Sequence, residues 1–309
     1  MSHIMGNRPL PLASVFSVAG EELTQAEKSL FSAAQPFGFI LFGRNCKNPE
    51  QLKNLTQQLR KAVGWNCPIM IDQEGGRVAR LKPPEWPAFG AAKLYGDKIS
   101  GGEGLDDITR DMRAMARMLK DMGIDTNCAP VGDVLTHNTH QVIGDRAYST
   151  DPAIVLAGME ATCRSFLTEG VTPIIKHLPG HGRAEVDSHH DLPLVTASIE
   201  DMRSTDFAPF HDLMKLDFAP AVWGMVAHVI YGQIDPVLPS SLSPIVINDI
   251  IRKEIGFDGL LFSDDLDMKA LDKYGSIPQR AEQSLQAGCD IALYCWAKID
   301  VMERLAATL

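Results

Sequence analysis

Runs of basic residues are missing from this chain. Its 309 residues carry 29 lysines and arginines against 39 aspartates and glutamates, a formal charge of −10. That balance argues against nucleic acid or an anionic membrane surface as a main partner. Cysteine pairs are missing as well. Cys46, Cys67, Cys128, Cys163, Cys289 and Cys295 form no C-x-x-C motif and lie mostly in apolar runs. They read as reduced core residues of a cytoplasmic protein, not as a disulfide frame. Residues 1–14 lack the continuous apolar core of a secretory signal. The longest nearly uncharged stretch, 218–234, is interrupted by Pro220, Gly224, His228 and Gly232. It reads as a buried strand with its loop, so no membrane span is expected. After the first apolar run stands Gly20-Glu21-Glu22-Leu23. This is not the Gly-rich phosphate loop of a doubly wound sheet, and the His-x-His of a zinc amidohydrolase barrel is absent there too.

What the chain does have is alternation. Apolar, often β-branched runs at 14–19, 38–42, 68–71, 123–129, 171–175, within 221–230, at 259–263 and at 290–294 read as buried strands. Between them lie helical patterns over 24–34, 48–63, 105–122, 151–169, 198–216, 243–255, 276–287 and 300–309. Thr24 with Glu27 forms a capping box, and Asn48-Pro49 and Asp151-Pro152 open helices. Strands alternating with helices imply parallel pairing, and eight such units at this length imply a (β/α)8 barrel. With 45% hydrophobic residues and no dividing linker, 1–309 reads as one α/β domain.

In such barrels the active site sits at the C-terminal ends of the strands. There the sequence places Asp72, a loop from Asp133 to Arg146, Lys176-His177, His228 and Asp264-Asp265. The densest stretch is Lys176-His177-Leu178-Pro179-Gly180-His181-Gly182 with Asp187-Ser188-His189-His190-Asp191 soon after. Asp187 and His189 are two apart, so an extended backbone puts them on one face with Cα atoms roughly 7 Å apart. A carboxylate can then hold one imidazole nitrogen and leave the other for proton transfer; an ordinary solvated loop is the alternative. Asp264 and Asp265 read as solvated or capping carboxylates, or as a nucleophile or base of which only one faces the barrel axis. Asp72 and Arg80 suit hydroxyl binding or a salt-bridged loop, and Arg146 is equally open. His181, between two glycines, reads as a structural histidine bonding backbone groups. His190 reads as solvated or structural. Trp86 between prolines reads as a loop anchor or a sugar platform. Pro179-Gly180 keeps His177 and His181 off one helix face, so their zinc-like spacing carries no metal site.

Together these segments resemble glycoside hydrolase family 3, and closely its single-domain bacterial β-N-acetylglucosaminidase branch. The resemblance spans essentially the whole chain. It is carried by Ile71-Asp72-Gln73-Glu74-Gly75-Gly76-Arg77-Val78, Gly144-Asp145-Arg146, the K-H-x-P-G-H-G motif at 176–182, Asp187-Ser188-His189 and Phe262-Ser263-Asp264-Asp265-Leu266-Asp267-Met268. It implies Asp264 as catalytic nucleophile and His189 as general acid/base supported by Asp187. It implies Asp72, Arg80, Arg146, Lys176 and His177 as the grip on the terminal sugar. The implied activity removes terminal β-linked N-acetylglucosamine with retention, from peptidoglycan fragments in cytoplasmic recycling. No metal or organic cofactor is implied, and a monomer is expected. A related phosphorylase, with phosphate in place of water, is the alternative. A metal-dependent amidohydrolase barrel and a non-catalytic sugar-binding barrel are the other classes. The last would not need both Asp264 and the Asp187–His189 pair.

Overall fold

A computed structural model describes residues 10–137, 139–184 and 192–309. Its strands are β1 Leu12–Ser17, β2 Pro36–Leu41, β3 Ile69–Ile71, β4 Thr126–Asn127, β5 Thr172–Leu178, β6 Leu194–Val195, β7 Trp223–Val226, β8 Ile230–Tyr231, β9 Leu261–Asp265 and β10 Ile291–Leu293. Eight of them close a parallel barrel in the order β1-β10-β9-β7-β5-β4-β3-β2. Each expected strand coincides with one barrel strand. The fold class is therefore the (β/α)8 barrel that the alternation implies. β6 and β8 form a separate parallel ribbon not anticipated from sequence.

The core has two shells. Inside the barrel, Phe37, Trp223 and Phe262 pack at centroid distances of 5.5–5.9 Å. They fill one end together with Val15, Met70, Cys128 and Ile174. The larger shell lies between strands and helices. Two equivalent brackets tie strand starts to helices. Arg60 pairs with Asp125 at 2.9 Å while Asp125 accepts the Ile69 amide. Across the barrel Arg252 pairs with Asp290 at 2.8 Å while Asp290 accepts the Leu261 amide.

The helices follow their caps. Thr24 and Glu27 make the reciprocal capping box before Gln25–Ala34, and Asn48 accepts from the Gln51 amide before Pro49–Val63. Two expectations are corrected. The helix expected over 198–216 is broken into Ile199–Ser204 and Ala208–Leu213. Pro209, which has no N–H to continue a helix, stands in the first turn of the second piece. The long segment between β3 and β4 holds an additional helix, Ala92–Ser100, which has no side-chain cap to announce it. Among the described residues no helix is long and apolar enough to cross a membrane.

Candidate active site

At the C-terminal mouth of the barrel the apolar filling stops at Ile40, Met225 and Leu293, which floor a pocket of about 210 Å³. The pocket wall above them is ionic. It includes Asp72, Glu74, Arg80, Arg146, Lys176, His177, His181 and Asp264. All six described residues expected at the site (Asp72, Arg80, Arg146, Lys176, His177 and Asp264) thus converge on one cavity. Asp187 and His189, with His190, lie outside the described residues.

Asp72 leaves β3 at its C-terminal end. The loop behind it is fixed by Gln73, whose side-chain oxygen accepts the amides of Arg80 and Leu81 at 2.9 and 3.0 Å. The Gln73 backbone is itself held by the Asn127 side chain. Gly75 has φ +98°, and a Cβ there would meet the Gly90 carbonyl oxygen at 2.2 Å, so only glycine lets the loop turn. Arg80 returns to Asp72 at 3.0 Å, and Lys176, delivered by β5, reaches it at 2.9 Å. Lys176 also contacts Glu74 at 2.6 Å, and Arg146 grips Glu74 with two nitrogens at 2.8 and 2.9 Å. The result is one chain of alternating charge, Arg80–Asp72–Lys176–Glu74–Arg146.

That chain sets the protonation states. Burial alone would raise the Asp72 and Glu74 carboxyls. The Lys176 charge, with Arg80 beside Asp72 and Arg146 beside Glu74, outweighs it. Asp72 is held well below the usual carboxylate range and Glu74 at about 2. Burial would likewise lower Lys176, but the two carboxylates reverse the sign and hold its ammonium above the ordinary value. Asp72, Glu74, Lys176 and Arg146 are therefore charged across neutral pH.

A second clamp sets the histidines. Asp133, fully buried, accepts from the backbone amides of His177 at 3.2 Å and His181 at 2.8 Å. Its other oxygen meets His177 Nδ1 at 2.7 Å. The peptides Lys176–His177 and Leu178–Pro179 are both cis. His181 lies in the pocket wall, its ring 5.6 Å from that of His177. Its backbone is fixed by Asp133, in keeping with a structural role, while its ring also lines the pocket. Burial, reinforced by His177, lowers its pKa to about 4, so its ring is neutral at pH 7.

β9 resolves the Asp264–Asp265 pair as strand alternation requires. Asp264 faces the pocket. Asp265 turns to the next loop, accepting from the amides of Asp267 and Cys295, both at 3.2 Å, and from the Trp296 indole at 3.0 Å. Burial raises Asp265 to about 6. His228 stands behind it, with Nε2 3.0 Å from the Asp265 carbonyl and Nδ1 2.7 Å from Ser241 Oγ. Trp86 is buried as a loop anchor, away from the pocket.

Glu74, Asp133 and Arg77 carry much of the site without having been singled out. Arg77 donates to Asp145 at 2.8 Å and to the carbonyls of Gln141, Val142 and Ile143 at 2.6–3.2 Å. It thereby pins the loop that brings Val142 and Ile143 to the pocket. One signal for Glu74 was available. A lysine ending a buried strand needs counter-charge, and Asp72 and Glu74 are the pair at strand-like spacing opposite it.

A barrel with a polar, charge-balanced pocket at its C-terminal mouth defines a (β/α)8 enzyme. Residues 12–309 match the glycosyl hydrolase family 3 N-terminal domain, and the chain belongs to that family. It is a glycoside hydrolase. It is 36% identical over 296 residues to a β-hexosaminidase of Bordetella avium, covering 94% of this chain and 83% of that one. It is 37% identical over 299 residues to a β-hexosaminidase of Idiomarina loihiensis, covering 96% and 87%. The structure of NagZ from Neisseria gonorrhoeae in complex with N-trifluoroacetyl-D-glucosamine superposes with a TM-score of 0.88 at 32% identity, covering 96% of this chain and 85% of that one.

Proposed function

We propose that the protein is a retaining exo-β-N-acetylglucosaminidase. The observation that carries this reading is that Asp264 faces the Asp72–Lys176–Glu74–Arg146 chain across one pocket. β9 and β3 stand four places apart in the ring of eight, on opposite sides of the barrel. A terminal pyranose fits with its hydroxyls on the ionic chain and its anomeric carbon at Asp264. The preference for N-acetylglucosamine is supported by the names of the relatives.

In the first step an Asp264 carboxylate oxygen bonds to C1 while the C1–O bond to the leaving group breaks. The leaving oxygen takes a proton from the His189 imidazolium. In the second step His189 removes a proton from water, the water oxygen bonds to C1, and the Asp264 ester bond breaks. Two displacements give net retention. Asp187 holds and polarises the imidazole. These two roles rest on the Asp187-Ser188-His189 motif. An imidazole suits the task because its ordinary pKa is already close to working pH. Asp72, Arg80, Arg146, Lys176 and His177 orient the sugar without a metal or organic cofactor. The substrates we propose are N-acetylglucosaminyl-1,6-anhydro-N-acetylmuramic acid and its peptides, acted on by a cytoplasmic monomer during cell-wall recycling.

The test is hydrolysis of an aryl N-acetyl-β-glucosaminide with chelator present, followed by proton NMR. β-N-acetylglucosamine should appear first and mutarotate afterwards. Initial appearance of the α-anomer, or turnover that requires added metal, would remove this mechanism.

A further inference from the structure

We infer that Trp296 is a stacking platform for the leaving-group sugar, and so a specificity-determining residue of the reaction proposed above. The inference rests on that reading and extends it outward from the pocket. With the terminal sugar's hydroxyls on the β3–β5 side and C1 at Asp264 on β9, the leaving group emerges at the β9 side of the mouth. β10 is the strand next to β9, and the loop leaving it carries Cys295, which lines the pocket, and then Trp296.

Trp296 is half-exposed, with 51% of its surface open to solvent. A single exposed aromatic is ordinary on a protein surface. What distinguishes this one is how it is held. Its indole N–H donates to Asp265 Oδ2 at 3.0 Å, and the Asp265 amide in turn donates to Asp264 Oδ1 at 2.8 Å. The Cys295 amide donates to Asp265 Oδ1 at 3.2 Å, and Arg44 donates to the Cys295 carbonyl at 2.8 Å. The indole's only polar group is therefore already used, and its ring is registered to the carboxylate next to the nucleophile. What it offers outward is an apolar ring face, already ordered. Such a face matches the axial C–H surface of a pyranose, and pre-ordering reduces the entropy lost on binding. Among the described residues, no other exposed large apolar side chain lies on the loops that follow β9 and β10.

The test compares two N-acetyl-β-glucosaminides that need the same chemistry. In N,N′-diacetylchitobiose the leaving group is a pyranose; in the methyl glycoside it is methanol. Within each variant the ratio of the two kcat/KM values is independent of the fraction of folded enzyme. For Trp296→Ala the chitobiose-to-methyl ratio should fall about tenfold, the upper range for an aromatic contact. Trp296→Phe keeps a ring face without the N–H and should hold the ratio within about threefold of wild type. An unchanged ratio in Trp296→Ala overturns the platform. That holds equally if both substrates lose activity together, which would mean that Trp296 acts only through Asp265 on Asp264. If the wild-type protein cleaves neither glucosaminide, the glycosidase reading fails first and the platform with it. If it cleaves both and only the ratio is unchanged, the platform alone fails.

Discussion

Replacing Glu74 by glutamine keeps shape and removes one negative charge from the middle of the ionic chain. The side chain is 6% exposed, as is appropriate for a buried pair, and it answers both Lys176 and Arg146. Its carboxyl ordinarily titrates at 4.5 and here at about 2. That difference favours the ionised form by roughly 3 kcal/mol, at 1.36 kcal/mol for each tenfold change in proton affinity. Breaking a buried pair while leaving its partner charged costs about 3–5 kcal/mol, which agrees. With roughly 2.1 cal/mol/K of unfolding entropy per residue, a chain of this length has about 0.65 kcal/mol/K, so Glu74→Gln should lower Tm by about 5–8 °C at pH 7. The sign with pH follows from the depressed folded value. Glu74 stabilises fully above its unfolded pKa of 4.5 and loses that contribution as pH falls towards about 2. Wild type and Glu74→Gln should therefore differ by a constant margin from pH 7 to 5.5 and converge below pH 4.5. Adding Arg146→Met should recover part of the stability, because it removes the stranded charge, while activity stays low. Scanning calorimetry or urea titration at each pH reads these differences. A Tm change under about 1 °C, or a margin that does not narrow in acid, refutes the reasoning.

Asp264→Ala should abolish turnover of every glycoside, whereas His189→Ala should lose about 10²–10⁴-fold on a sugar leaving group and far less in the first step with an activated phenol. In that variant a glycosyl-enzyme should accumulate on Asp264 by intact mass, and azide should release it as the β-glycosyl azide; equal losses on both substrates without accumulation would remove His189 from the role. Asp133→Asn has one oxygen where three donors converge, so its amide must face either His177 Nδ1 or the backbone N–H groups of 177 and 181. It should lower kcat/KM by about 10–100-fold and stability by about 1–3 kcal/mol, and wild-type kinetics would show that the clamp is dispensable.

The barrel was legible because its strands are buried on both faces. Segments such as Val15-Phe16, Phe39-Ile40-Leu41 and Ile69-Met70-Ile71 are continuous apolar runs, which is how a parallel strand covered by helices must read. Caps such as Thr24, Asn48 and Asp151 marked helix starts to within a residue. Ala92–Ser100 escaped because Ala91 supplies no cap oxygen. The break before Pro209 escaped because the apolar periodicity over 198–216 continues across it. Residues at the site were legible singly, by strand-end position. Their pairing was not, since Lys176 and Asp72 are 104 positions apart and Arg146 and Glu74 are 72 apart. Local sequence carries no information about which rim charge meets which.

On the proposed function, that pairing also accounts for how five charged groups could receive a neutral sugar. A hydroxyl both donates and accepts, so a carboxylate beside an ammonium or guanidinium can bind each hydroxyl from both sides. Isolated charges would gain as much from water as from a sugar and would lose it again on binding. Here the desolvation of Asp72, Glu74 and Lys176 has already occurred on folding, offset by their mutual contacts. The groups point into the pocket at fixed distances before any ligand arrives, so little reorganisation accompanies binding. The same chain counts three cations, Arg80, Lys176 and Arg146, against two anions, Asp72 and Glu74, an excess of one positive charge. Asp264 faces them across the same pocket. On the proposed mechanism the groups that would hold the sugar stand opposite the carboxyl that would attack it, which would tie recognition at one end of the ring to chemistry at the other.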